Sequence, residues 1–545
     1  HVRRQRRHPG SQAAGPAAPD ERHQEPHAGG RDPRHWDGDE YAVRNARLCA
    51  AYQTVLAEAN RLDFDDLLLA TVRTLHEHAD ARRAAGDSFP RVLVDEFQDT
   101  NLPQYVLVHQ LAEEHKDVFV VGDPDQAIYG WRGAELTNTM SFQHDFPAAR
   151  RIDLQLAYRS SARLLEAPTA MIRHNANRLD HRLRSVNLPG LPPTVHDAAD
   201  PTAEASFAVS RAAARILRDN GSVAILYRTN PQSRTFETAF KRAGIPYRIT
   251  GDKSFYDRPE IRDALACLQA ASDPDPDDEA MRRFVDLPPH PRTGQKAAAQ
   301  IDRMRAPTFW SRAALAVRNG TLPDHRTATL RLRFEIAAVL AAAARRLPLD
   351  DLVDTVLRDT GDHQAVGATG DPDAADRLDN LAELGFDAAV FRRDAGQTDT
   401  VGFDGRLQVL PEFLDHCRSM RAPIRARAAD IRVTLSTLHG AKGLEFDTVV
   451  IGGFDTEHLP HRGTLASADD NETAVEEERR LAYVGMTRAR SELYLSVPAV
   501  TGHGARQRPT EPSPFLTEIP ENLSTTDNAD MSAGPLGPER RVFAV

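Results

Sequence analysis

Cysteines are few and long apolar runs are missing from this chain of 545 residues. Its three cysteines, Cys49, Cys267 and Cys417, stand too far apart to make the closely spaced pairs of a zinc site or an iron–sulfur cluster. Isolated thiols fit a reducing compartment such as the cytoplasm. No stretch approaches the roughly 18–20 apolar residues of a membrane-spanning helix, and no hydrophobic core near residue 1 reads as a signal peptide. A positive excess is missing too. Against 79 Asp and Glu stand 68 Lys and Arg, a formal charge of −11, which excludes a polybasic nucleic-acid coat. It leaves nucleic-acid binding open, because local charge lining a groove decides that. Leu, Ile, Phe, Met and Tyr are all absent from residues 1–40, which are crowded with Arg, His, Pro and Gly. Such a segment buries too little apolar surface to offset its chain entropy, so 1–40 is expected to be non-globular. With His1 in place of Met, it reads as a poorly defined start, of the kind out-of-frame translation produces.

What remains is ordinary for a globular protein: 41% hydrophobic and 27% charged residues, in a chain long enough for two to four domains. Patterning begins near Tyr41 with an amphipathic helical stretch, RLCAAYQTVLAEAN. Apolar runs follow, each ending in polar residues: RVLVDE, DVFVVGD, SVAILYRT, TVVIGGF and ELYLSVP. Strands alternating with helical stretches predict parallel α/β domains that bind ligand at the polar strand ends. From about Arg258 to Ala428 the texture turns Ala/Arg/Leu-rich and helical, then α/β patterning resumes at IRVTLSTLHGAKGLEF. A helical insertion within an α/β domain is the simplest account. After Pro498 the chain becomes polar and is expected to be a tail.

Several strand ends carry chemistry. In VLVDEFQDTN, residues 92–101, Asp95 and Glu96 close an apolar run. Adjacent carboxylates there can divide labour, one on a metal ion and one on an attacking water, although alone they equally suit a solvated strand end. VVGDPDQAIYGWRGA, residues 120–134, places Gln126 where a neutral amide could sense a terminal phosphate. It also supplies Tyr129, Trp131 and Arg132, an aromatic-and-cation group suited to stacking an unpaired base. Gly130 and Gly133 favour an exposed turn over a core position for Trp131. Further on, Tyr158 and Arg159 precede a helix, while His439, Lys442 and Glu445 share a glycine-flanked loop. Arg488 ends an acidic-to-basic helix.

In combination and order, DEFQDTN, GDPDQAIYGWRGA, AYRSS, TLHGAKGLEF and EEERRLAYVGMTRAR resemble the UvrD/PcrA/Rep family of superfamily 1 DNA helicases. The segments LDFDDLLL and GIPYRITGDKSFYDRPEIRDALACL extend the resemblance, which covers about Tyr41 to Val497. It implies two RecA-like α/β domains, 1A and 2A, with helical insertions 1B and 2B, ATP in the cleft and single-stranded DNA across both. The implied boundaries are a 1B remnant at 41–85, an incomplete 1A at 86–153, 2A at 154–257 and 429–498, 2B at 258–428, and a polar tail at 499–545. By matching motif, Asp95 would hold Mg2+, Glu96 would position the hydrolytic water and Gln126 would read the γ-phosphate. Arg159 and Arg488 would act as arginine fingers, worth about 10³–10⁵ in rate. Tyr158 would stack on adenine and Glu445 would contact ribose. Trp131, with Arg132 and His439, would line the DNA track. The implied activity is ATP-dependent 3′→5′ translocation on single strands and unwinding at single-strand/duplex junctions. The implied setting is the cytoplasm, with repair or replication proteins as partners and no membrane.

The departures are as specific. No G-x-x-x-x-G-K-[ST] phosphate-binding loop occurs anywhere; the nearest stretches are TGQK at 293–296 and GDKS at 251–254. Only 94 residues precede Asp95, so the front of 1A and much of 1B are expected to be missing. Ala157 stands where the family usually has Asn. Without the loop's amide cradle and lysine, nucleotide affinity should collapse. Two readings stay open: a truncated copy of an ordinary helicase, favoured because Glu96, Gln126, Arg159 and Arg488 are intact, and a degenerate, non-hydrolysing DNA- or partner-binding protein. A nuclease–helicase subunit is disfavoured, because residues 498–545 are too short for a nuclease domain.

Overall fold

The computed structural model describes residues 40–179, 181–250, 254–273, 277–287, 292–359, 374–394, 403–421, 427, 430–467, 471–502 and 507–527. The chain divides into two units: one runs to Gln155 and adds Asn175–Arg182, the other takes Leu156–His174 and everything from Leu183. The expected non-globular start at 1–40 lies, but for its last residue, outside the described residues.

In the first unit, helices Glu40–Glu58, Phe64–Glu77 and Ala79–Ser88 lead into the strand Val92–Val94. Asp63 starts the second helix by accepting from the Asp66 amide at 2.8 Å, and Asp66 returns the bond to the Asp63 amide at 3.1 Å. Asn101 and Gln104 repeat the device at 3.0 Å in both directions, launching the helix Leu102–Leu111. That helix connects Val92–Val94 to the strand Val118–Val120, and the two pair in parallel, Leu93 opposite Phe119. Val72, Leu75, Phe97, Tyr105, Val106 and Phe146 form the buried interior.

In the second unit, seven parallel strands form one sheet in the order Thr525–Asp527, Thr194–Ala198, Ala489–Pro498, Phe446–Ile451, Val223–Tyr227, Val433–Thr437 and Tyr247–Thr250. Parallel sheets are covered on both faces, so their central strands are apolar throughout. Val223–Tyr227 fits that rule, with all five residues buried. The helix Asn471–Met486 packs so closely that a Cβ on Gly485 would lie 2.4 Å from Leu438 Cδ2 and 3.1 Å from Ile451 Cδ1, so a side chain there would force these neighbours to shift.

Between Thr250 and Val433 the described residues contain helices and no strand, from Pro259–Ser272 through Phe403–Arg421, around a core that includes Ile261, Leu268, Phe284, Phe309, Leu352 and Phe413. The strands that flank this stretch are hydrogen-bonded neighbours, Tyr247 opposite Val433. TGQK at 293–296 runs into a short helix, Gln295–Asp302; GDKS lies outside the described residues except for Ser254.

The expected tail at 499–545 is instead folded onto the second unit over residues 507–527. Phe515 is completely buried, and the Ser513 amide donates to Phe454 O at 3.0 Å. Arg479 donates twice to Glu518, each bond at 2.7 Å, and Thr525–Asp527 becomes the sheet's edge strand. A single aromatic anchor and backbone-only strand pairing leave little hydrophobic trace in a sequence. No helix among the described residues is long and apolar enough to cross a membrane.

Candidate functional site

The first unit gathers its polar groups where its two strands end. Val92–Val94 runs into Asp95, whose Oδ1 accepts from the Glu96 amide at 2.9 Å. Glu96 has φ 50° and ψ 44°, a left-handed conformation that costs free energy for any residue with a Cβ. Both carboxylates are exposed. Behind them Gln98 is fully buried, donating from Nε2 to Glu96 Oε2 at 2.5 Å and accepting at Oε1 from the Asp123 amide at 3.0 Å. Asp123 in turn accepts from Gln126 Nε2 at 2.7 Å. A continuous hydrogen-bond chain, Glu96–Gln98–Asp123–Gln126, therefore joins the two motifs. Gly122 makes it possible, since a Cβ there would lie 2.4 Å from Gln98 Oε1. Burial, together with the charge of Asp125, raises the Asp123 carboxyl above its ordinary range.

Sequence reasoning missed Gln98 and Asp123. Their signal was a polar side chain three or four residues after each strand, but only the fold shows which of them meet.

The same turn continues to the aromatic group. Trp131 is 54% exposed on a short 3-10 turn, Gly130–Arg132, which Gly133 closes at φ 78°. The Arg132 guanidinium lies 4.5 Å from the Trp131 ring centre and 5.4 Å from that of Tyr129. A planar cation over an exposed indole makes a platform that accepts a further flat ring.

In the second unit, two serines and an asparagine pin the segment carrying Tyr158 and Arg159. Ser160 Oγ donates to Ala489 O at 2.6 Å, Ser185 Oγ to Ser160 O at 2.7 Å, and Asn187 Nδ2 to Tyr158 O at 2.9 Å. The Tyr158 ring is left 72% exposed. Arg159 Nε donates to Glu445 Oε2 at 2.6 Å, and Arg490 Nη2 donates to the other Glu445 oxygen. The Arg159 hydrogen bond, then that of Arg490, holds the Glu445 carboxyl below its usual range. Arg488 is placed differently. Only 2% exposed, it donates to Val484 O at 2.8 Å, Thr487 Oγ1 at 3.1 Å and Leu444 O at 3.4 Å. In this structure it braces the backbone beneath the cluster, and Arg490, two residues on, joins Arg159 on Glu445. His439 is half-buried at the start of a short turn, where the Gly440 amide donates to Thr437 Oγ1 at 3.2 Å.

The structure thus brings Asp95, Glu96 and Gln126 together in one unit with Trp131 and Arg132 on the same turn. It brings Arg159 and Glu445 together in the other. Comparison with known proteins matches residues 17–147 to the UvrD/REP helicase N-terminal domain. Residues 152–308 and 357–499, more than half of the chain, match the UvrD-like helicase C-terminal domain. Among similar proteins, ATP-dependent DNA helicase UvrD1 of Mycobacterium tuberculosis is 36% identical over 514 residues, covering 89% of this chain and 65% of that protein. ATP-dependent DNA helicase PcrA of Bacillus subtilis is 34% identical over 482 residues, covering 87% and 64%. DNA helicase II of Escherichia coli is 35% identical over 482 residues, covering 87% and 65%. The chain spans a little under two thirds of the length of these relatives. With motifs, parallel-sheet architecture and both domain families in agreement, the chain belongs to the UvrD/REP helicase family.

Proposed function

We propose that the protein acts as an ATP-dependent 3′→5′ DNA helicase or translocase, its two α/β units being RecA-like domains and the helical stretch 258–428 the 2B insertion. The observation that carries the reading is the hydrogen-bond chain from Glu96 to Gln126. A base that orients water and an amide that reads the terminal phosphate must respond to one another, and here the buried Gln98 and the half-buried Asp123 link them. Asp95 is an exposed carboxylate at a strand end, and its hard oxygen donors suit Mg2+. It would hold the ion, which neutralises charge building on the transferring phosphoryl group. Glu96 would orient the water, and Arg159, released from Glu445, would meet the phosphate. Tyr158 offers an exposed ring to adenine, and Trp131 with Arg132 offers a stacking platform to single-stranded DNA. The closing of an ATP-binding cleft would then be converted into steps along the strand, in repair or replication.

The absence of any G-x-x-x-x-G-K-[ST] in the sequence favours a second reading for the chain as given: DNA binding without hydrolysis. One experiment separates the two, combining oligo-dT binding by fluorescence anisotropy with single-strand-stimulated ATPase assays. Both readings expect oligo-dT to bind, weakened by about 1–3 kcal/mol in Trp131→Ala; the first expects single-strand-stimulated turnover, the second little or none. Robust turnover abolished by Glu96→Gln would discard the non-hydrolysing reading. No measurable oligo-dT binding would defeat both.

A further inference from the structure

Asp125 stands next to Gln126, is 1% exposed, and has no part in the chemistry above. Its partner lies far along the chain. Arg178 donates to both its oxygens, Nε to Oδ1 at 3.2 Å and Nη2 to Oδ2 at 2.7 Å. His181 Nε2 approaches Oδ2 at 3.8 Å. The Asp125 amide donates to Asp123 Oδ1 at 3.0 Å, so the pair is wired into the Gln126 network. Asp123, Asp125 and His181 offer ligand atoms within 4.8 Å of one another, a spacing that a metal ion accepts. Arg178 already takes both Asp125 oxygens, so the cluster is an ion-pair anchor.

The anchored segment has unusual connectivity. Residues 156–174, which carry Tyr158 and Arg159, belong to the second unit, as does the chain from 183 onward, yet 175–182 belongs to the first. Eight residues cannot build a core of their own, so specific polar contacts have to hold them. A buried carboxylate is costly unless paired, and a bidentate guanidinium satisfies it with fixed geometry.

We propose that Arg178 and Asp125 are positioning residues that clamp the 175–182 strap to the 123–133 turn, so that strap and turn are held, and released, together. The turn carries Gln126 and Trp131, and the strap continues at both ends into the second unit. The pair would therefore tie phosphate sensing and base stacking to a chain crossing. What the turn does rests on the proposed function; the clamp itself does not.

The test is hydrogen–deuterium exchange on the full chain, with quenching of tryptophan fluorescence by oligo-dT as a second arm. Arg178→Ala and the near-isosteric Asp125→Asn should each speed exchange about tenfold or more in both 123–133 and 175–182, leaving other segments at the wild-type rate. Arg178→Lys, which keeps the charge but loses the fork, should fall between. Arg228→Ala, which breaks the bidentate Arg228–Glu478 pair of the second unit, should leave both segments unchanged. Should Arg178→Ala fail to fold, Asp125→Asn decides. Wild-type exchange in 123–133 in the folded variants would overturn the clamp, as would acceleration of only one segment. If oligo-dT fails to bind the unmodified chain, the proposed function falls, while the exchange result still judges the clamp.

Discussion

The seven-stranded sheet and the two-stranded sheet of Val92–Val94 and Val118–Val120 differ in how deeply they are buried. In the seven-stranded sheet, Val223, Ala224, Ile225 and Leu226 are each 0% exposed. In the two-stranded sheet, Leu93 is 72% and its neighbour Phe119 59% exposed. Yet both present charged side chains at the termini of strands: Asp95 and Glu96 just after a strand of the thin sheet, Glu445 and Arg490 where two strands of the thick one begin. Rigidity therefore has different sources. In the second unit a packed core fixes the strands, and the charged groups ride on them. In the first, a polar network running Glu96–Gln98–Asp123–Gln126, reinforced by Asp125 and Arg178, supplies what the apolar packing does not.

The largest effect that would sharpen this contrast is in the thick sheet. Ile225→Ala removes a fully buried side chain from a central strand, and urea unfolding should show a loss of about 2–5 kcal/mol. A loss below about 1 kcal/mol would mean the sheet is not the stabilising element described. An intermediate effect concerns Glu204, buried in the same unit, where it accepts from the Gly453 amide at 2.8 Å. Burial pushes its carboxyl up to about 7, against the nearby charge of His458 and with that of Asp455. A carboxyl raised in the folded state contributes its stability fully below its unfolded value near 4.5, and loses it as pH rises through about 7. Glu204→Gln should therefore gain on the unmodified protein between pH 5 and 8, by on the order of 1–3 kcal/mol, in urea midpoints measured across that range. A difference independent of pH would refute the assignment. The smallest effect is expected in the thin sheet. Leu93→Ser should change unfolding free energy by no more than about 0.5 kcal/mol, and a large loss would break the comparison outright.

Much of the architecture was legible because buried parallel strands must be apolar and must end in polar residues. RVLVDE, DVFVVGD, SVAILYRT, TVVIGGF and ELYLSVP each fall on a strand of the structure, the last two on strands that begin before the run. One side of the seven-stranded sheet was not legible: the edge strand Thr525–Asp527 and its neighbour Thr194–Ala198 carry no apolar run, because an edge needs backbone pairing more than a hydrophobic face. At the site, motif order pointed to the residues that gather at each strand end, but not to what supports them. Gln98 looks like any polar residue after a strand, and nothing local marks Arg178 as the partner of a residue 53 positions earlier. Arg488, turned into the backbone, precedes the strand Ala489–Pro498, while Arg490, turned onto Glu445, lies within it, and telling them apart requires knowing where that strand begins.

Glu96 sets two demands against each other at one position. Its carboxylate is wanted at the end of the strand, but its backbone sits where only glycine rests without cost. Glycine there would relieve the backbone and lose the acid, so a Glu96 that orients water, as proposed, would trade stability for chemistry within a single residue.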